Sequence, residues 1–312
     1  MYKIKYNLVY FVYKEKPDEK ERRFEMEKTE RRAYAKINLG LDVLRRRENG
    51  YHDVKMVMQT VGIYDELTFE KIKAGIVVTT DKEELPTDKG NLIYRAAELL
   101  TEKYQIQEGV RISLKKNIPI AAGMAGGSTD AAAVFHGMNV LFDLHMDEET
   151  MREEGVKIGA DVPYCIMGGT ALSEGIGEVL TVLPAPPGAV LCIAKPDINV
   201  STKFVYENLH IETVKDHPDI DGMVQAIREG DLKGITDRMA NVLETVTVKE
   251  YPVIEEIKKK MLESGAENAL MSGSGPTVFG VFTEEEKARE AMEEIRKENL
   301  AQQVFVTGFV NV

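Results

Sequence analysis

From Arg32 onward apolar side chains occupy alternate positions: Ile37, Leu39, Leu41 and Val43 are separated by Lys36, Asn38, Gly40 and Asp42, the two-residue period of a half-buried strand. Lys36 and Asn38 are therefore expected on the face away from the core. Asn49-Gly50 then predicts a hairpin turn, and Val54 to Thr60, Glu66 to Lys71 and Ile76 to Thr80 read as further strands separated by turn residues. At Asn91 the period changes. Leu92, Ala96, Leu99, Leu100 and Lys103 recur at three- and four-residue spacings, which predicts an amphipathic helix from Asn91 to Tyr104. Val110, Ile112 and Leu114 return to alternation and lead into the glycine-rich stretch Pro119-Ile-Ala-Ala-Gly-Met-Ala-Gly-Gly-Ser-Thr-Asp-Ala-Ala-Ala133, which opens an alanine-rich helix ending near Leu144.

The second half continues in the same mixed style. Helices are predicted from Asp147 to about Gly159, from Ser201 through Tyr206, and over Asp219 to Arg228, Leu232 to Leu243, Val253 to Ser264 and Glu284 to Glu298. Strands are predicted over Leu180 to Leu183, Val190 to Ala194, Gly273 to Val281 and Gln303 to Phe309. Strands and helices mix without regular β-α alternation, so the expected class is α+β, in two layered domains. Pro184-Ala-Pro-Pro-Gly188 marks the expected boundary, giving an N-terminal domain over 29–186 and a C-terminal domain over 187–312. Residues 1–28 combine a short apolar run with a run of mixed charge, and are expected to be a poorly ordered extension or a start misassigned ahead of Met26.

The glycine-rich stretch carries the first chemical signal. Gly123, Gly126 and Gly127 let the backbone take φ > 0 and bring its N–H groups to a ligand unobstructed. Ser128 or Thr129 can cap the helix, with Asp130 in its first turn. Strand, glycine turn and helix in that order make an anion site, and phosphate is the usual anion. An ordinary loop with a capped helix is the plain alternative. No Gly-Lys-Ser/Thr follows the glycines, and the spacing is not that of the dinucleotide fingerprint.

Composition narrows the classes. A formal charge of −12 argues against nucleic-acid and anionic-membrane partners, which need a basic surface, but leaves phosphorylated small ligands open. No apolar run approaches the ~20 residues that span a bilayer. The two cysteines, Cys165 and Cys192, cannot build a disulfide framework and read as buried free thiols of a cytoplasmic protein.

Three stretches together resemble a known family. Pro119 to Thr129 is similar to the phosphate loop of the GHMP small-molecule kinases, Ala35-Lys36-Ile37-Asn38-Leu39 to their first motif, and Ser272-Gly273-Ser274-Gly275-Pro276-Thr277 to their last. The order is right and the span covers almost the whole chain after residue 28. The resemblance implies a ribosomal-protein-like N-terminal domain, a ferredoxin-like C-terminal domain, and ATP with Mg²⁺ as phosphoryl donor. Asn49-Gly50-Tyr51-His52 is similar to the branch of the family whose acceptor is a cytidine diphosphate-linked methylerythritol.

The resemblance also implies roles. Pro119, Ile120, Ala121, Ala122, Gly123, Met124, Ala125, Gly126, Gly127, Ser128 and Thr129 would cradle ATP's phosphates, and Ser128 would also reach Mg²⁺. Lys36 and Asp161 stand at the catalytic lysine and aspartate, the latter in Gly159-Ala160-Asp161-Val162-Pro163. Asp161 would accept the acceptor hydroxyl's proton, and Lys36 would favour the ionised forms. Asn38 would orient the acceptor, with Tyr51, His52 and Tyr206 gripping the cytosine. Taken alone, Lys36 reads as a solvated strand lysine, Asp161 as a helix N-cap and Tyr206 as a core aromatic. No glutamate metal ligand is assigned, and the expected assembly is a monomer or homodimer. A different GHMP kinase and a non-catalytic binding protein on the same fold are the rival readings.

Overall fold

The computed structural model describes residues 26–311, so the expectation for residues 1–28 lies almost wholly outside it. In chain order the elements are β1 (Lys28–Arg46), β2 (His52–Ile72), β3 (Ile76–Thr80), α1 (Leu92–Lys103), β4 (Gly109–Lys115), α2 (Gly126–Leu141), α3 (Glu148–Gly155), α4 (Val162–Met167), β5 (Thr170–Glu174) and β6 (Val179–Leu183). They continue with β7 (Val190–Lys195), α5 (Thr202–Glu207), α6 (Ile220–Glu229), α7 (Leu232–Thr236), α8 (Glu244–Glu250), α9 (Val253–Glu263), β8 (Asn268–Met271), β9 (Val278–Phe282), α10 (Glu285–Lys297) and β10 (Gln303–Gly308). The α+β class is as expected. Contacts group the chain into two compact units that interleave along the sequence.

The first unit holds the described residues up to Ala33, with Tyr64–Asn117 and Gly127–Ile166. Here β4 pairs antiparallel with the second half of β2 and parallel with β3. Helices α1 and α2 bury Ile93, Ala96, Leu100, Val134, Phe135 and Met138 in one core with Leu67, Phe69 and Ile112 of the strands. Asn91 starts α1 as its cap, its side chain accepting the Ile93 N–H at 2.9 Å. Gly137 permits α2 to lie on the sheet, because a Cβ there would sit 2.5 Å from the Phe69 ring.

The second unit holds Tyr34–Ile63, Ile118–Gly126 and Met167–Val312. One of its sheets pairs the first half of β2 with β5, and β5 with β6. The other is antiparallel with order β10-β7-β9-β8. Strand order and the β-α-β-β-α-β succession of this C-terminal half make it ferredoxin-like. Among the described residues no helix is long and apolar enough to cross a membrane.

Several elements differ from the sequence reading, each for a physical reason. Val54 to Thr60 and Glu66 to Lys71 are one strand, β2. The residues that suggested a break are there for burial: a Cβ on Gly62 would meet Thr307 at 2.4 Å, and Asp65 is fully buried in an ion pair. The helix expected over Leu232 to Leu243 stops at Thr236, because Ala240 and Val242 hydrogen-bond to Leu41 of β1. The strand expected over Gly273 to Val281 begins only at Val278, after a loop in which Gly273 and Gly275 are left-handed. The helix after Asp147 ends at Gly155 rather than near Gly159, and β5 and α8 went unforeseen. Cys192 is buried, its thiol pushed up to about 12 by burial, whereas Cys165, within short α4, is only half-buried.

Candidate active site

In the second unit the first motif, the glycine loop and the last motif are hydrogen-bonded to one another. The Lys36 N–H donates to Met124 O at 3.2 Å, which ties β1 to the loop. The Ser272 hydroxyl donates to Gly123 O at 3.0 Å and accepts the Asn38 N–H at 3.4 Å, across 149 and 234 residues of sequence. One serine therefore links all three motifs. The fit is tight at Gly123, where φ is +71° and an added Cβ would lie 2.3 Å from Ser272 O.

Lys36 and Asn38 are buried, contrary to the expectation of an outer strand face, because the strand is covered on both sides from Ala35 to Val43. The Lys36 ammonium donates to Asn38 Oδ1 at 2.8 Å, and the Asn38 amide donates to Met56 Sδ at 3.2 Å. Asn38 is thus oriented from three directions, and its carbonyl oxygen in turn holds the lysine. A buried ammonium with a fixed partner is a preorganised positive charge, the device that stabilises charge developing on a phosphoryl group.

The loop's conformation is not the one its glycines suggested. Gly123 has positive φ, but the other left-handed residues of the loop are Ala121 and Ala125, at 52° and 56°. Gly126 and Gly127 are the first residues of α2. Left-handed residues at every second position turn backbone N–H groups toward one side, the geometry of an anion nest. Ser128 and Thr129 accordingly lie inside the helix and do not cap it. Asp130 falls past the first turn of α2, which begins two residues earlier than Ser128, and is buried.

Asp161 lies in the first unit, just ahead of α4, half-buried, with its carbonyl accepting the Cys165 N–H at 3.0 Å. Gly159 is close to Ser128: a Cβ added at Gly159 would lie 4.0 Å from the serine hydroxyl. The aspartate's turn therefore runs beside the start of α2 within that unit.

The aromatic group expected around a base is partly assembled in the second unit. The rings of His52 and Tyr206 are 5.0 Å apart and tilted by 36°, although one opens β2 and the other lies on α5. Tyr51 is 58% exposed at the hairpin. Burial first, and the charge of Arg46 second, hold the His52 imidazole below its ordinary range, which favours its neutral form. Arg45 and Arg47 both bond to the Asp53 carboxylate, which ties the two strands of the hairpin together. Met56, which accepts the Asn38 amide hydrogen, lies four residues along β2 from His52, about 13 Å at strand spacing.

Two supporting residues escaped the sequence reading. Asn241 donates to both Met271 O and Gly273 O at 2.8 Å, and Glu244 accepts the Met271 N–H at 2.8 Å, so these side chains fix the start of the last motif. The signal was an asparagine within the apolar run Met239-Ala240-Asn241-Val242-Leu243, where a buried amide must have partners. Among the described residues no group of three His, Cys, Asp or Glu is placed to hold a metal ion.

Comparison with known proteins agrees with this geometry. Residues 91–169 match the family described as GHMP kinases N terminal domain, and residues 223–301 match GHMP kinases C terminal. A 4-diphosphocytidyl-2-C-methyl-D-erythritol kinase of Lachnospira eligens is 53% identical over 283 residues, 90% of this chain and 98% of that one. The chain belongs to the 4-diphosphocytidyl-2-C-methyl-D-erythritol kinase family of the GHMP kinases. A crystal structure titled 4-(cytidine 5'-diphospho)-2C-methyl-D-erythritol kinase superposes with a TM-score of 0.78 at 31% identity, covering 91% of this chain and 100% of that one. Homoserine kinase from Cytophaga hutchinsonii, at 21% identity and a TM-score of 0.74 over 94% of this chain and 97% of its own, shares the fold. The GHMP kinase fold expected from the three motifs is thus the fold of this kinase.

Proposed function

We propose that this kinase transfers the γ-phosphoryl group of ATP to the 2-hydroxyl of 4-diphosphocytidyl-2-C-methyl-D-erythritol, in the non-mevalonate route to isoprenoid precursors and in the cytoplasm. The observation that carries the choice of acceptor is the His52–Tyr206 ring pair beside the exposed Tyr51, a reader for a pyrimidine's face and edge. The domains would divide at 29–186 and 187–312, with one matched family region on each side.

Phosphoryl transfer asks for positioning and for neutralisation of charge on the moving group. Backbone N–H groups of residues 119–129 cradle the triphosphate at the start of α2. Asp161 takes the proton of the acceptor hydroxyl, and Lys36 supplies positive charge to the reacting oxygens. Asn38, held by Lys36, Met56 and Ser272, orients the acceptor. Ser128 fits as a single hydroxyl ligand to Mg²⁺, an ion that kinases hold through few protein groups, phosphates and water. When bound, Mg²⁺ neutralises charge on the β- and γ-phosphates.

The test is coupled ADP release with three acceptors: the cytidyl methylerythritol, mevalonate and homoserine. Turnover is expected with the first alone; preference for either of the others overturns the assignment. Tyr206→Ala is expected to raise KM for the cytidyl acceptor by about 5- to 150-fold, the worth of one base stack, with KM for ATP unchanged. The same KM should stay flat down through the ordinary histidine range near pH 6.5 and rise only below it, because protonated His52 loses its acceptor nitrogen. A KM profile that breaks above pH 7 would remove His52 from base recognition.

A further inference from the structure

The first unit buries a charged cluster that the reaction as described leaves unused. The Lys116 ammonium donates to Asp65 Oδ2 and to Asp130 Oδ2, both at 2.6 Å, with the three side chains 4%, 0% and 5% exposed. The Asn117 N–H donates to Asp65 Oδ1 at 2.6 Å, and the Lys116 N–H to Asp81 Oδ1 at 2.9 Å. Asp130 Oδ1 is buried with no hydrogen-bond partner. Two carboxylates and one ammonium carry an excess negative charge into the interior. Burial, with Asp65 adding to it and Lys116 opposing, pushes the Asp130 carboxyl well above the usual range.

Such a cluster is a poor way to gain stability, since well-packed apolar side chains of the same volume do as well or better. Its position offers another reason for it. Lys116 lies three residues before Pro119 and Asp130 directly follows Thr129, so their bond closes the chain on either side of residues 117–129. Asp65 sits on β2 and fastens that closure to the sheet. A loop pinned at both ends loses less conformational entropy when a ligand orders it, and its N–H groups stay aimed.

We propose that Lys116, Asp65 and Asp130 form a clamp at the base of the glycine loop that sets ATP affinity without touching the nucleotide. These are positioning residues, and the proposal rests on reading residues 119–129 as the nucleotide cradle. Asp130→Leu removes the bond on the helix side while leaving the Lys116–Asp65 pair balanced. Asp130→Asn keeps the shape and an acceptor oxygen.

Calorimetric titration of each variant with ATP, alongside thermal melting and acceptor KM, tests the clamp. Asp130→Leu is expected to weaken ATP binding by about five- to a hundredfold with acceptor KM within about twofold, and Asp130→Asn to stay near wild type. If Asp130→Leu does not fold, Asp130→Ser, whose hydroxyl is too short to reach the ammonium, should show the same loss. Wild-type ATP affinity in a folded Asp130→Leu or Asp130→Ser, or equal losses for both substrates, overturns the clamp. Because the titration needs no acceptor, an error in the acceptor assignment leaves it intact. Wild-type protein that binds no ATP overturns the cradle and the clamp together.

Discussion

Replacing Asp161 by asparagine is expected to lower kcat by about 10²- to 10⁴-fold while ATP affinity and melting temperature stay near those of the wild type. The split follows from what the residue does in each capacity. Its backbone carbonyl accepts the Cys165 N–H at the start of α4, a bond that asparagine keeps. Asparagine also favours the position ahead of a helix as much as aspartate does, so the local structure survives. The loss therefore falls on proton transfer, which an amide cannot perform. Single-turnover phosphorylation is the measurement, and turnover at the wild-type rate would end the assignment of Asp161 as the base.

Gly123→Ala is expected to cost both stability and ATP affinity. A residue with a Cβ at φ +71° costs about 1–2 kcal/mol, and a side chain 2.3 Å from Ser272 O and 3.1 Å from Gly275 O adds about 1–3 kcal/mol of overpacking. Against a net stability of roughly 5–15 kcal/mol, that is a large share. The displaced atoms are those that join the glycine loop to the last motif, so ATP binding should fall by more than about tenfold and the melting temperature should drop. Gly127→Ala is the internal control. Gly127 is helical, and its added Cβ would meet only Leu92 at an ordinary 3.5 Å, so this variant should melt near the wild type. Wild-type stability in Gly123→Ala would mean that the loop can shift away from Ser272 at no cost.

Much of the architecture could be read from the order of residues because the interactions that shape it are local. Helix α1 runs where the apolar spacing put it, with Asn91 as its cap, and α6, α9 and α10 fall within a residue or two of expectation. The family motifs were legible for a similar reason: the backbone path of Ala121 to Gly127 and the Gly273 turn demand small residues at fixed spacing. Boundaries failed where a distant segment intervened. Gly62 and Asp65 look like a turn until Thr307 and Lys116 are placed against them, and the chain after Thr236 looks helical until β1 claims its hydrogen bonds.

By itself, then, the sequence determined the α+β class, the glycine loop feeding a helix, and the residue types available for phosphoryl transfer and base recognition, because period, turn chemistry and motif spacing act over a few residues. Tertiary structure alone decided that Lys36 and Asn38 would be buried and bonded, that Ser272 would reach two motifs at once, and that Lys116 would sit between two carboxylates. Burial and hydrogen-bond partners are settled by which segments pack together across a hundred residues or more, and a local pattern holds no record of that choice.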